Sequence, residues 1–292
     1  MANLKEIRTR ISSVASTKQI TSAMKMVAAA RLKKAQDAIV QIRPYASKLH
    51  EILQTLSANI DKDEGNLYGE VREINKVLIV VITSNRGLCG AFNMNIIKKA
   101  RELATTKYAT LLEKKKVDFY TIGKKGWEFF GKKGFRIYKN NMTIFDDLTF
   151  DNSKIISEEL MHLFVDKEYD VIELVYNSFK NPAVQDMITE QYLPVEVKEE
   201  KGAHVNLDYI FEPSKSKILR ELIPRSLKTQ LFKALIDSYA SEQGARMTAM
   251  HQATDNATEL IKELNIQYNK ARQASITREI IEIVSGAEAL KG

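Results

Sequence analysis

The stretch Val77-Leu78-Ile79-Val80-Val81-Ile82 is a continuous run of aliphatic residues, and the turn sequence Ser84-Asn85-Arg86-Gly87-Leu88-Cys89-Gly90 follows it closely. A run of this length and composition predicts a strand that is buried on both faces, as in parallel sheets covered by helices. The apolar pattern after the turn predicts a helix over 93–107. This part of the sequence therefore places an α/β domain in the middle of the chain.

Further elements of the same kind follow along the chain. The patterns predict strands over 117–122, 170–176 and 187–195, and a helix over 153–165. Because strands alternate with helices, we expect a largely parallel, Rossmann-like sheet. We assign residues 73–212 to this inserted α/β domain and the polar residues 60–72 to a linker.

The two ends of the chain lack helix breakers. The sequence has only five prolines, and residues 1–43 contain neither proline nor glycine. Apolar spacing predicts a first helix that Pro44 kinks or ends, and a last helix over about 225–290 that is on the order of 100 Å long. A helix of that length does not fit inside a compact domain. We therefore predict that residues 1–59 and 213–292 form an antiparallel coiled-coil shaft.

The apolar seam of the first helix contains polar positions. Lys18, Thr21 and Lys25 fall on it, so we expect the seam to break there. Around this gap the apolar residues point in nearly every direction, which predicts a segment enclosed by other subunits. On the last helix we expect small residues to let the two helices approach closely. These are Ala253, Ala257, Ala271 and Ala274.

The net charge of +7 is concentrated at one end. Residues 1–43 hold nine Lys/Arg against two Asp/Glu. Such a helix could neutralise nucleic-acid phosphates or dock against an acidic protein surface. The absence of aromatic residues from this segment removes base stacking from the first alternative.

Several classes of protein are disfavoured. The single cysteine, Cys89, permits no intramolecular disulfide and favours a reducing compartment. The longest aliphatic run, 77–82, is far shorter than the ~20 residues of a membrane span. The N-terminal residues show no secretory signal, and the four histidines are too scattered for a metal site. We therefore expect an intracellular chain without a metal or cofactor.

Spacing draws attention to three candidate sites, and alternatives stay open at two of them. Residues 126–133 nearly match a phosphate-binding loop, but Lys133 replaces the required hydroxyl and the interior is bulky, so we expect no nucleotide there. The Gly87–Gly90 segment could bind an anion at a helix N-terminus or form a tight turn capped by Asn85 or Asn93. Arg246 is either solvated or interfacial.

Both ends of the chain and the first strand–turn resemble the gamma subunits of F-type ATP synthase. The resemblance is carried, in the order of the family, by Thr17-Lys18-Gln19-Ile20-Thr21, Ala23-Met24-Lys25-Met26-Val27-Ala28-Ala29-Ala30, Ser84-Asn85-Arg86-Gly87-Leu88-Cys89-Gly90-Ala91-Phe92-Asn93, Ser241-Glu242-Gln243-Gly244-Ala245-Arg246-Met247 and Tyr268-Asn269-Lys270-Ala271-Arg272-Gln273-Ala274.

This resemblance implies a coiled-coil shaft that carries an inserted α/β domain and rotates inside a ring of three alpha and three beta subunits. It implies a foot on the membrane c-ring, beside the epsilon subunit. Catalysis would belong to the beta subunits, and this chain would bind no cofactor and reach the membrane only through its partners. The expected location is the cytoplasmic face of a bacterial plasma membrane, as part of F1. A basic coiled coil that binds nucleic acid is the alternative.

By resemblance, contacts that couple the shaft to the alpha and beta subunits fall on six residues. They are Met24, Arg246, Arg272, Gln273, Thr277 and Glu279. Arg272 and Gln273 resemble the pair that engages a loop of the beta subunit. Tyr209 and Glu212 resemble positions near the c-ring and epsilon.

The chain departs from the family pattern in two places. Asn85 stands where Asp is more usual, which changes the charge of the turn. Gly244 stands where Ala is usual, and this costs about 1 kcal/mol of helix propensity, so we expect a softer shaft. Because Cys89 is the only cysteine, the chain also lacks the dithiol of the chloroplast type and its thiol regulation.

Overall fold

A computed structural model describes residues 4–57, 67–182, 184–195 and 215–289 of the chain. The chain divides into two compact units. One comprises Met1–Ala28 together with Met247–Gly292, and the other comprises Ala29–Arg246. No helix within the described residues is both long and apolar enough to cross a membrane.

The larger unit contains a five-stranded sheet in the order β3-β2-β1-β4-β5. Its strands are β1 (Val77–Ile82), β2 (Val117–Ile122), β3 (Ile137–Asn141), β4 (Val171–Phe179) and β5 (Gln185–Leu193). Only the β4–β5 pair is antiparallel. The mixed α/β fold predicted from the sequence is confirmed.

Helices cover the sheet between the strands. They are α2 (Phe92–Thr106), α3 (Ala109–Glu113), α4 (Lys124–Lys132), α5 (Phe150–Val165) and a 3₁₀ turn (Thr143–Phe145). Alternate residues of β1 enter two apolar cores: Leu78, Val80 and Ile82 lie in one, and Val77, Ile79 and Val81 in the other. This burial on both faces is the reason that β1 is a continuous aliphatic run.

The sequence pattern missed β3. This strand reads Ile137-Tyr138-Lys139-Asn140-Asn141, pairs only with β2, and has no buried residue. An edge strand of polar residues carries little apolar signal, and its position depends on hydrogen bonds to its neighbour.

The long helices are α1 (Leu4–Ser57) and α6 (Lys215–Ala289). Pro44 does not end α1, which was one of the two outcomes predicted, and α6 begins before Pro224 rather than after it. Each proline removes one helical hydrogen bond. Burial of Leu49 and Leu53 beyond Pro44, and of Leu219 before Pro224, continues the apolar stripe and favours an unbroken helix.

The two long helices run antiparallel within the larger unit. Arg43 of α1 bonds Asp237 of α6, and further along α1 the Arg225 guanidinium of α6 lies over the Tyr45 ring. A higher residue number on α1 is therefore paired with a lower residue number on α6, as in antiparallel helices. The predicted antiparallel pairing is confirmed.

The smaller unit shows a heptad seam. On α6 the buried residues Met250, Ala257 and Leu264 are seven positions apart, which is the heptad spacing. On α1 the seam is not broken at Thr21, because this side chain is buried and its hydroxyl lies 2.8 Å from that of Thr254. The predicted break is therefore wrong, since a hydroxyl pair satisfies the polar position. Ala257 is on the seam as predicted, whereas Ala274 is exposed.

Candidate functional site

A buried ion pair lies where α6 meets the sheet. Arg246 and Glu242 are one helical turn apart, their side chains are about 10 % and 9 % exposed, and Nη1 of Arg246 is 2.5 Å from Oε1 of Glu242. Burial raises the pKa of the Glu242 carboxyl, and the charge of Arg246 opposes this rise. Arg246 is therefore paired rather than solvated.

The other guanidinium nitrogen of Arg246 reaches the turn after β1. Its Nη2 donates to the backbone carbonyls of Arg86 and Gly87, each at 3.2 Å. The structure thus brings together two sequence stretches that are about 160 residues apart. Sequence reasoning missed Glu242, although an acid one turn before an arginine on a helix is the usual signal for such a pair.

The side chains of two asparagines hold the turn in place. Asn93 accepts from the Ser84 N–H at 2.9 Å and donates to the Ser84 hydroxyl at 2.7 Å. Asn85 donates to the Met142 carbonyl at 2.6 Å and accepts from the Lys124 N–H at 3.0 Å. Helix α2 starts after Ala91 without a side-chain cap, so both asparagines brace the turn but neither caps the helix.

Gly244 lies where α6 approaches the β4–β5 hairpin. A Cβ built there would lie 3.1 Å from the Pro182 Cα, 3.3 Å from its carbonyl oxygen and 3.6 Å from the Phe179 ring. The glycine permits this close approach of two backbones. Its departure from the family pattern therefore has a packing reason, besides the softening expected from helix propensity.

Cys89 is buried under the turn. The residue is 1 % exposed, and its thiol accepts from Asn93 Nδ2 at 3.2 Å. Burial raises the pKa of the thiol, so the reactive thiolate is disfavoured.

We expect Cys89 in the folded chain to react with a disulfide reagent much more slowly than in the urea-unfolded chain. A local opening that costs about 3 kcal/mol would slow the reaction about 100-fold. The measurement is the rate of thiol labelling at pH 8 with and without urea. Equal rates would contradict the burial.

The remaining predicted contact residues lie in the smaller unit. Met24 is half-buried, whereas Arg272, Gln273, Thr277 and Glu279 are exposed on α6. Thr277 donates to the Gln273 carbonyl at 2.9 Å, and Glu279 accepts from Ser275 at 3.3 Å. These four lie on successive turns near the end of α6. The predicted positions Tyr209 and Glu212 lie outside the described residues.

The segment that resembles a phosphate-binding loop is helical. Residues 126–132 belong to α4, and Gly126 is buried with its N–H donating to the Thr83 hydroxyl at 2.9 Å. This N–H is therefore not available to a phosphate. Within the described part of the chain no cluster of three or more His, Cys, Asp or Glu side chains could hold a metal ion.

Comparison with known proteins defines the class. The family model described as ATP synthase matches residues 3–290. The chain resembles the rotor of Euglena gracilis mitochondrial ATP synthase in rotational state 1, with a TM-score of 0.65 and 19% identity over 94% of this chain and 98% of that one. For the Euglena OSCP/F1/c-ring assembly in rotational state 3, the TM-score is 0.69 with 18% identity over 98% and 94% of the chains. These two likenesses show a shared fold.

A close relative specifies the subunit. The ATP synthase gamma chain of Christiangramia forsetii is 60% identical over 292 residues, which cover 100% of both chains. The present chain belongs to the ATP synthase gamma chain family. Its function is that of the central-stalk rotor subunit, and these comparisons give no support to the nucleic-acid alternative.

Proposed function

We propose that the smaller unit turns inside a ring of three alpha and three beta subunits, while the foot of the chain rests on a c-ring beside epsilon. The similar Euglena assembly contains F1 and a c-ring. The observation that carries the proposal is the end of α6, where residues 276–289 are all exposed. Their large apolar side chains include Ile276, Ile280, Ile283 and Val284, which are 48–70 % exposed.

Exposed apolar side chains in such a run mark a surface for partners. Helix α1 adds Ile20, Met26 and Val27, which are 52–64 % exposed. These residues belong to the segment that the sequence predicts to be enclosed by other subunits. A surrounding ring of subunits would remove both groups from water.

The cations of α1 support an acidic surface around the stalk. Within the described residues, the ion pairs of α1 are Lys33–Asp37, Arg43–Asp237 and Lys48–Glu51. Arg8, Arg10 and Lys25 take part in none of these. Their charges are available to carboxylates of the ring, which would steer and orient the stalk.

The stalk would act by differential contact. Each beta subunit has conformations of different nucleotide affinity, and an asymmetric stalk touches the three subunits differently. Shifting one site from mostly open to mostly closed takes about 5 kcal/mol. Rotation changes which beta subunit receives this bias, and ion flow through the c-ring drives rotation toward ATP synthesis.

The finer assignments belong to the same proposal. This chain has no catalytic site of its own, although a gamma chain is a subunit of the ATP synthase enzyme complex. It works at the cytoplasmic face of a bacterial plasma membrane, a location that its identity to bacterial gamma chains supports. Residues 1–59 and 213–292 form the shaft, 60–72 a linker and 73–212 the insert. Tyr209 and Glu212 are assigned to the c-ring and epsilon side.

Within the stalk, Arg272 and Gln273 engage a loop of the beta subunit, and Thr277 is a further coupling contact. Met24 packs near an acidic segment of the beta subunit. Arg246 and Glu279 are polar partners that steady the shaft. The exposed position of the four α6 residues supports their part of this assignment.

Reconstitution tests the proposed function. Purified alpha and beta subunits mixed with this chain should give an assembly that contains one copy of it and hydrolyses ATP faster than the ring alone. The measurements are native mass and ATPase rate. If the ring neither binds the chain nor changes its rate, the rotor assignment fails.

The double variant Arg272→Ala, Gln273→Ala is expected to impair ATP-driven ion pumping more than assembly, because it removes exposed contacts without touching a core. The measurements are pumping by the complete complex in vesicles and the yield of assembled complex. Arg101→Ala, Glu102→Ala, on the exposed face of α2, is the matched control. Unchanged pumping in the first variant would exclude these two residues as coupling contacts.

A further inference from the structure

The structure joins two of the family-like stretches, the one around Arg246 on α6 and the turn after β1. Rotation of the stalk does not by itself explain this contact. The α6 part of this junction is held by two hydrogen-bonding residues: Ser241 donates to the Asn177 carbonyl at 3.2 Å, and Arg246 donates to the turn after β1. Both stretches therefore contribute to one junction between α6 and the insert.

The turn is a fixed acceptor in this junction. Leu88 has a φ of +62° and Gly90 a φ of +58°, both in the left-handed region. The Ser84 hydroxyl donates to the Arg86 carbonyl at 2.6 Å. A non-glycine residue in this region persists only where its surroundings hold it. The carbonyls of Arg86 and Gly87 are thus held toward α6.

Glu242 fixes the orientation of the Arg246 guanidinium. One nitrogen of the guanidinium binds the carboxylate, and the other binds both turn carbonyls. A planar guanidinium that is fixed at one side presents its other side in one direction. Since the Glu242 side chain is only about 9 % exposed, water competes little for this contact.

The junction lies entirely within the larger unit, since Arg86, Gly87, Glu242 and Arg246 all belong to Ala29–Arg246. Helix α6 runs from Lys215 to Ala289, so the residues of the junction and the predicted beta-subunit contacts are on the same helix. In the proposed rotor, α6 carries torque, and a contact that holds α6 against the insert would resist its rotation there.

We propose that Glu242 is a positioning residue for energy coupling: it aims Arg246 at the turn carbonyls and so clamps α6 to the insert. This inference rests on the proposed rotor function. The clamp adds to the apolar packing of Leu231, Ala234 and Leu235 against the sheet and fixes the rotation of α6 about its own axis.

The test uses the complete complex in vesicles and measures the ratio of ATP-driven ion pumping to ATP hydrolysis. Glu242→Gln keeps the shape and loses the charge, and we expect the ratio to fall about fivefold, the lower end of coupling between protein sites. Glu102→Gln, at an exposed pair with Lys99, is the matched control and should keep the ratio.

A charge exchange separates clamping from simple pairing. Glu242→Arg with Arg246→Glu can restore an ion pair, but a carboxylate at position 246 cannot donate to the turn carbonyls. We expect the ratio to stay low in this double variant. A normal ratio there would show that pairing alone suffices, and it would overturn the clamp.

An unchanged ratio in Glu242→Gln also overturns the inference. If that variant does not assemble, Arg246→Lys replaces it, because an ammonium keeps the charge but cannot serve the carboxylate and both carbonyls through a fork. A wild-type ratio in Arg246→Lys overturns the inference as well. If the wild-type chain itself supports no pumping, the rotor function fails, and that outcome is distinct from failure of the clamp.

Discussion

Replacing Arg246 by alanine is expected to lower the free energy of unfolding of the larger unit by about 3–5 kcal/mol, the usual cost of leaving a buried charge unpaired. The Glu242 carboxylate would lose its ion pair, and the carbonyls of Arg86 and Gly87 would lose their donor. Trp127 on α4 is the only tryptophan, so its fluorescence during urea unfolding reports on this unit.

The deficit should depend on pH. Burial already raises the pKa of Glu242, and removal of Arg246 takes away the charge that opposes the rise. A carboxyl whose folded-state pKa is raised contributes stability that is present below its unfolded pKa, about 4.3, and is lost as pH rises through the folded value. The difference in free energy of unfolding between the wild type and Arg246→Ala should therefore be larger at pH 8 than at pH 5.

A double variant provides the control for this prediction. Glu242→Gln together with Arg246→Met removes both charges and keeps most of the volume. Replacing both members of a buried pair is often neutral, so we expect much of the lost stability to return. A deficit as large as that of Arg246→Ala would show that contacts other than the ion pair cause the loss.

The second large effect is expected at Gly244. Valine there should lower the stability of the larger unit by about 1–3 kcal/mol, the usual cost of overpacking, because its Cβ would already lie 3.1 Å from the Pro182 Cα. Alanine should fail to gain the ~1 kcal/mol that its helix propensity offers. Urea unfolding followed by Trp127 fluorescence measures both variants.

Gly286 is the matched control on the same helix, since a Cβ added there meets nothing within 4 Å. Gly286→Ala should increase the helical signal in circular dichroism without strain. If Gly244→Ala stabilises the chain by the full propensity difference, the hairpin does not press on this position. Gly244 would then only lower the helix propensity of the shaft, and packing would not require a glycine there.

The sequence alone determined the parts of this protein whose signal is local. The aliphatic run Val77–Ile82 predicted β1 with its observed bounds, because a strand buried on both faces favours continuous apolar residues. The pattern of 117–122 likewise predicted β2 with its observed bounds. Ends that lack breakers gave the two long helices. The order of the family-like stretches gave the family and its rotor function, which the comparisons confirm.

Only the tertiary structure decided the features that depend on partners distant in sequence. Burial of Leu53 and Leu219 carries the helices past Pro44 and Pro224, because packing outweighs one missing hydrogen bond at each proline. The polar strand β3 exists because β2 supplies its hydrogen bonds. Arg246 is a clamp rather than a solvated cation because the fold brings Glu242 to one side of its guanidinium and the turn carbonyls to the other. The sequence of α6 could not predict this contact, because the carbonyls belong to a turn about 160 residues away.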